Sequence, residues 1–344
     1  MAALLGVKCL RAVEVEKLYH RFISRVFSAT PTTNEDQPPP PSWTEGWRGL
    51  TNMLSTGARY HTPGFEERLR EIVSTDRLID TASCFQTPKV LLTSANMSFI
   101  PPVPYLFRNY EYAPGSESRY QGTSSRCTWE GIRATSAAPS LFEEAVYGAC
   151  VRACASWRLC RATRHSRKWH RSDSLRFQDG GIVCNNPAAI VLHEATRIWP
   201  NRKVDCLVSL GTGSHPPKPK QGGFKDTIIQ FIRSACDVDR IDEVLTDLMP
   251  RDTYYRFCPE GPEYDCQLND ASEEKLILMA ITTELWLNTA EQSARVAKLV
   301  AMMRPPPSET PAQTAPPTIT TTTDETASER SRVGDQDISL SGSS

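Results

Sequence analysis

The 344-residue sequence lacks a charge imbalance, with 39 Lys and Arg against 40 Asp and Glu and a formal net charge of −1. No global field points to nucleic acid or to an anionic membrane, so an electrostatic partner must be read by a local patch. Nothing approaches a run of about 18 consecutive apolar residues, the length that a membrane-spanning helix requires. The start, MAALLGVKCLRAVEVEK, has no charged n-region and makes a poor signal peptide. The expectation is an intracellular protein, cytoplasmic or peripheral to an internal membrane. Cysteines do not pair in number: eleven run from Cys9 to Cys266 with no secretory leader, which argues for free thiols rather than a disulfide framework. There is no internal repeat and no D-x-D-x-D-G calcium loop. Most tellingly, no serine has glycine at both i−2 and i+2. Ser124 has Gly122 but Arg126, and Ser209 has Leu207 and Gly211, so the G-x-S-x-G elbow of many serine hydrolases is absent.

What is present reads as one sizeable α/β domain. Apolar residues make up 39 % of the chain, and the shortfall sits largely in two Pro/Thr/Ser-rich stretches. Val15, Leu18, Tyr19, Phe22, Ile23, Val26 and Phe27 form a helical stripe within residues 14–27, and GFEERLREIV (64–73) is a second amphipathic helix. KVLLTSAN (89–96) and YLFRNYEY (105–112) read as strands on either side of IPPVP, and TWEGIRATSAAP (128–139) as a helix stopped by Pro139. A strand ending at Asp179 leads through Asn185, Asn186 and Pro187, an N-cap and N1 proline, into a helix to Trp199. VDCLVSLGTG (204–213) then reads as a buried strand entering a glycine loop. Strand, helix and strand in that order predict a right-handed crossover and a mostly parallel sheet. Long helices are expected over about 224–248 and 272–302, the latter capped by Asp270 or Ser272. Residues 304–344 have almost no large apolar side chain and are expected to be a disordered tail.

The stretch FQDGGIVCNNPAAI (177–190) concentrates the chemistry. Asp179 closes a strand, and Gly180 and Gly181 let backbone approach closely. The carboxyl edge of an open α/β sheet is where ligands bind, and a carboxylate there can serve as a general base. The same Asp-Gly-Gly is equally a turn aspartate capping the backbone after it.

DGGIVCNNPAAIVLHEATRIWP followed by VDCLVSLGTG resembles the patatin-like phospholipase family, in particular its calcium-independent phospholipase A2 gamma branch. PKVLLTSANMS, FRNYEY, IRATSAAPSLF and LMPRDTYYRF continue the likeness in the same order across most of residues 4–302. The resemblance implies a partial three-layer α/β/α domain over 1–303, missing its N-terminal strands, and a Ser/Asp dyad that hydrolyses glycerophospholipid acyl esters without a metal or other cofactor. The family aspartate of the D-G-G/A motif, which takes the serine proton, matches Asp179, with Gly180 and Gly181 completing the motif. The implied partner is a phospholipid or membrane surface, with no nucleic acid. A serine hydroxyl needs a positioned base, and the developing oxyanion needs preorganised donors. The family's glycine-rich oxyanion loop is absent, as is its serine elbow, so the base stands without its partners. Loss of a nucleophile in serine hydrolases removes about six orders of magnitude in turnover. The sequence therefore predicts a catalytically silent chain of poor autonomous stability, or a non-catalytic lipid-binding or regulatory paralogue.

The family pattern is also interrupted between Gly148 and Asp173, where seven Lys and Arg occur with no acid before Asp173. A surface insertion or a translated intron fits best, and a basic loop that steers toward anionic lipid or nucleic acid is the next reading. Cys150, Cys154, Cys160, His165 and His170 match no common zinc spacing. His193 reads as an ordinary helix residue, and the helix start at Pro187 as a cap or a phosphate-sized anion site. Arg133-Ala-Thr-Ser-Ala-Ala-Pro reads as a helix lying close to the sheet.

Overall fold

A computed structural model describes residues 1–27, 60, 62–73, 75–83, 87–139, 141–148, 174–214, 238–266 and 270–303. The basic Cys/His segment and the Pro/Thr/Ser-rich tail lie outside them. Residues Met1–Met302 form one compact unit. The helices are α1 (Ala12–Phe27), α2 (Thr62–Ile72), α3 (Thr128–Thr135), α4 (Ala188–Ile198), α5 (Val238–Leu248), α6 (Glu273–Leu287) and α7 (Ala290–Met303). The strands are β1 (Leu91–Asn96), β2 (Val103–Arg108), β3 (Gln121–Thr123), β4 (Ala145–Gly148), β5 (Ser174–Asp179), β6 (Leu207–Leu210) and β7 (Tyr254–Phe257).

The fold is α/β, but its larger sheet is mixed rather than mostly parallel. Its order is β3-β2-β1-β5-β4, and only β2 and β3 run parallel. The reason lies in the connections. Residues 97–102 are all that join β1 to β2, too few for the crossover of about a dozen residues that a parallel pair needs, so the chain turns back antiparallel. β5 is flanked by β1 and β4, which leaves it no side for β6. The expected crossover from β5 through α4 therefore delivers β6 to a separate sheet, where it pairs in parallel with β7, and α5 lies between those two strands in sequence. β6 is also not buried on both faces: Leu207 and Ser209 point inward, whereas Leu210 is 75 % exposed.

Packing explains the remaining elements. Leu92, Phe107, Ala134, Ala145 and Phe177 form the core under the larger sheet, and the rings of Tyr105, Phe107, Tyr147 and Phe177 stack edge and tilt through it. α3 can lie close because Gly131 has no side chain; a Cβ there would come within 3.1 Å of Leu92 and Phe107. Val15 and Ile23 bury the α1 stripe, while Tyr19 of the same stripe is exposed. Phe65, Leu69 and Phe142 form a second cluster joined by Phe22, Val26 and Phe27. The single long helix expected over 272–302 is two helices, interrupted at Asn288 and Thr289. Asn288 caps α6 through its N–H to the Glu284 carbonyl, and the Thr289 hydroxyl donates back to the Trp286 carbonyl. That is the competition with helix continuation which a threonine offers. No described helix is long and apolar enough to cross a membrane.

Candidate functional site

β5 ends at Asp179, where the backbone leaves the strand for one turn of 3-10 helix, Gly180–Ile182. The Asp179 N–H donates to the Ala137 carbonyl at 3.0 Å, tying the turn to the residues that follow α3. Its Oδ1 accepts from the Gly181 N–H at 2.8 Å. Gly180 cannot be another residue without movement, because a Cβ would fall 2.2 Å from the Thr93 carbonyl oxygen. That carbonyl also accepts the Thr135 hydroxyl, so β1, α3 and the Asp179 turn meet at one point. The Gly180 carbonyl accepts from Val183 and Cys184 and closes the turn.

Burial pushes the Asp179 carboxyl above its ordinary value, and the Gly181 N–H opposes that shift. Among the described residues, one backbone donor is thus all that stabilises its charge. A carboxylate held this way is a stronger proton acceptor than a solvated one and can act on any hydroxyl brought to it. Among the described residues no hydroxyl donates to it. Ser124 donates to Glu111 at 3.1 Å, and Ser209 to the Asn186 Oδ1 at 3.2 Å, so neither serine weighed from the sequence serves Asp179.

Beyond the turn, the Asn186 Oδ1 also accepts from the Ala188 N–H at 3.2 Å and so caps α4 as its side chain predicts, with Pro187 at the cap position rather than inside the first turn. Arg256 of β7 donates to the Ser209 hydroxyl at 2.8 Å, which locks the start of α4 to β6 and β7. His193 accepts from the Arg119 N–H at 3.3 Å through Nε2 and meets Tyr120 edge-on; burial, then Arg119, lowers its pKa. It has no hydrogen bond to Asp179.

The next residue, Glu194, is the feature that sequence reasoning missed. It is 1 % exposed and accepts the hydroxyls of Tyr110, at 2.8 Å, Tyr112 and Ser118, with Arg108 at 3.7 Å. Burial and Glu194 raise the pKa of both tyrosines, so they remain neutral donors. This cluster clamps α4 to the chain leaving β2. The signal was present in FRNYEY, where Arg108, Tyr110 and Tyr112 recur every second residue and so share one side.

Cys150, Cys154, Cys160, His165 and His170 lie outside the described residues. Among those described, no group of three His, Cys, Asp or Glu could hold a metal ion. Cys9, Cys127, Cys206, Cys258 and Cys266 are free thiols.

No family model matches the sequence. Phospholipase A I of Arabidopsis thaliana is 32 % identical over 292 residues, covering 78 % of this chain and 22 % of that protein. Calcium-independent phospholipase A2-gamma of Oryctolagus cuniculus and of Homo sapiens are each 29 % identical over 307 residues, covering 88 % of this chain and 34 % of theirs. The chain spans about a fifth to a third of the length of these curated relatives. These relatives, matched over most of this chain, are phospholipases, consistent with the patatin-like phospholipase family that its motifs resemble.

Proposed function

We propose that the chain carries the base half of a Ser/Asp acyl-hydrolase site for glycerophospholipid esters, with Asp179 as the proton acceptor and Gly180 and Gly181 shaping its turn. The observation that carries this is the Asp179 carboxylate itself, at the end of β5, half-buried, pushed up in pKa and accepting, among the described residues, a single backbone N–H. A turn aspartate that only capped backbone would gain nothing from such desolvation. The reaction needs a serine that loses its proton to the Asp179 carboxylate and attacks the ester carbonyl; the ester C–O bond breaks and the lysophospholipid alkoxide leaves with that proton, after which water, deprotonated by Asp179, attacks the acyl-serine, the fatty acid departs and the proton returns to the serine.

The sequence supplies no G-x-S-x-G serine for that role, so the 344-residue chain alone is expected to release no fatty acid. Residues 1–303 then act as an incomplete phospholipase domain, with 148–173 as an insert and 304–344 as a tail. The transcript tests this reading. An in-frame G-x-S-x-G ahead of residue 1, in a product that hydrolyses phosphatidylcholine and loses at least about 1000-fold in turnover on Asp179→Asn, is the expected result. Absence of such a segment would leave the second reading, a lipid-binding or regulatory paralogue.

A further inference from the structure

The end of α3 and the residues after it grip the end of β5 through hydroxyls to which the dyad reading gives no part. Ala134 and Ala137, both fully buried, are small enough for this segment to lie against the sheet. Ser94 of β1 stands opposite Asp179 in the antiparallel β1–β5 pair. The Asp179 N–H does not go to β1, however, but to the Ala137 carbonyl at 3.0 Å. The Ser94 hydroxyl takes up the preceding peptide: it is fully buried, donates to the Gln178 carbonyl at 2.7 Å and lies 3.2 Å from the Ala134 carbonyl. On the other side of Asp179, the Thr135 hydroxyl donates to the Thr93 carbonyl, the group against which Gly180 packs too closely to carry a Cβ.

Two hydroxyls therefore act on the backbone immediately before and immediately after Asp179. A carboxylate that accepts one N–H keeps its direction only while the peptides on both sides of it are fixed, because rotation of either swings it toward water or onto other donors. Small misplacements of a reacting group are costly, so the supporting contacts matter as much as the group itself. We propose that Ser94 and Thr135 are positioning residues for Asp179: their hydroxyls hold the Gln178 carbonyl and, through Thr93, the Gly180 backbone, so that the carboxylate stays on the Gly181 N–H. That role rests on the reading of Asp179 as the base. It also gives the Arg133-Ala-Thr-Ser-Ala-Ala-Pro stretch a part in the site, since its threonine hydroxyl and its Ala134 and Ala137 carbonyls all meet the strands that carry Asp179.

Amide hydrogen exchange and carbon-13 titration of the full chain test this. Ser94→Ala and Thr135→Val each remove one hydroxyl and are expected to speed exchange of the Gly181 N–H about fivefold, the scale of one net hydrogen bond. The buried Leu245 N–H of α5 should keep its rate. In the same variants the Asp179 carboxyl should titrate closer to its ordinary 3.8, because a loosened turn admits water. Thr135→Ser retains the hydroxyl and should retain both parent values. Circular dichroism establishes that each variant is folded, and the two Thr135 variants decide the matter if Ser94→Ala does not fold. Unchanged Gly181 exchange in folded variants would overturn the proposal, as would Gly181 and Leu245 amides that speed up together or a Thr135→Ser that behaves as Thr135→Val. A parent carboxyl at or below 3.8, with the Gly181 N–H freed in the variants, counts against the dyad and leaves the two hydroxyls as the ties that set the Asp179 turn.

Discussion

Asp179 and Glu194 are two carboxylates on neighbouring elements, one half-buried and one fully buried, and they are treated in opposite ways. Glu194 receives three hydroxyls and faces a guanidinium, a full set of partners for a buried charge. Asp179 receives one backbone N–H, and its burial raises its pKa. Buried charges persist when they are paired, so an under-partnered one at a strand end is a candidate for chemistry and a saturated one a candidate for structure. Glu194 holds α4 in place, whereas Asp179 keeps only its bond from the Gly181 N–H among the described residues.

Four substitutions sharpen or break that contrast. Glu194→Ala leaves three hydroxyls without their acceptor and Arg108 with Tyr112 alone, and is expected to cost about 3–5 kcal/mol in denaturant unfolding, the cost of breaking a buried charge pair. A loss under about 1 kcal/mol would remove its structural role. Gly180→Ala drives a methyl into the Thr93 carbonyl and should cost about 1–3 kcal/mol, an overpacking penalty that also moves the Asp179 turn.

Asp179→Asn should change stability by less than about 1 kcal/mol at neutral pH, in the stabilising direction. The folded carboxyl titrates above its ordinary 3.8, so the folded state keeps its proton to higher pH than the unfolded chain. Stability of the parent protein then falls as pH rises through the window between those two values, and the advantage of Asn grows across that window and is flat above it. Denaturant midpoints at a series of pH values measure this, and an Asn variant less stable than the parent at neutral pH would contradict it. His193→Ala, which removes an acceptor for the Arg119 N–H and the edge-on contact with Tyr120, should cost about 0.5–1 kcal/mol by the same measurement.

The local elements were legible because their signals are local. The α1 stripe and the Asp-Gly-Gly turn each depend on residues within one or two turns of one another, whereas the cap of α4 falls on Pro187, one residue later than the asparagine predicts. Sheet direction was not legible, because it depends on which strands have a free side. VDCLVSLGTG looks the same whether or not β5 can accept β6, and only the pairing of β5 with both β1 and β4 decides the matter. The Glu194 cluster escaped for a related reason. Its donors lie 76 to 84 residues away, and no periodicity within LHEATRIW marks the glutamate that they reach. The Asp179 position could be named from the sequence because a family motif surrounds it, but its single donor and its burial are properties of the folded turn.

The carboxyl titration of Asp179, followed by carbon-13 NMR with Asp179→Asn to assign the resonance, tests most directly whether this carboxylate is a poised base. A pKa above 3.8 in the folded chain is the predicted result. A value at or below 3.8 would show a carboxylate as well satisfied as a turn cap, and would contradict its assignment as the proton acceptor of a dyad.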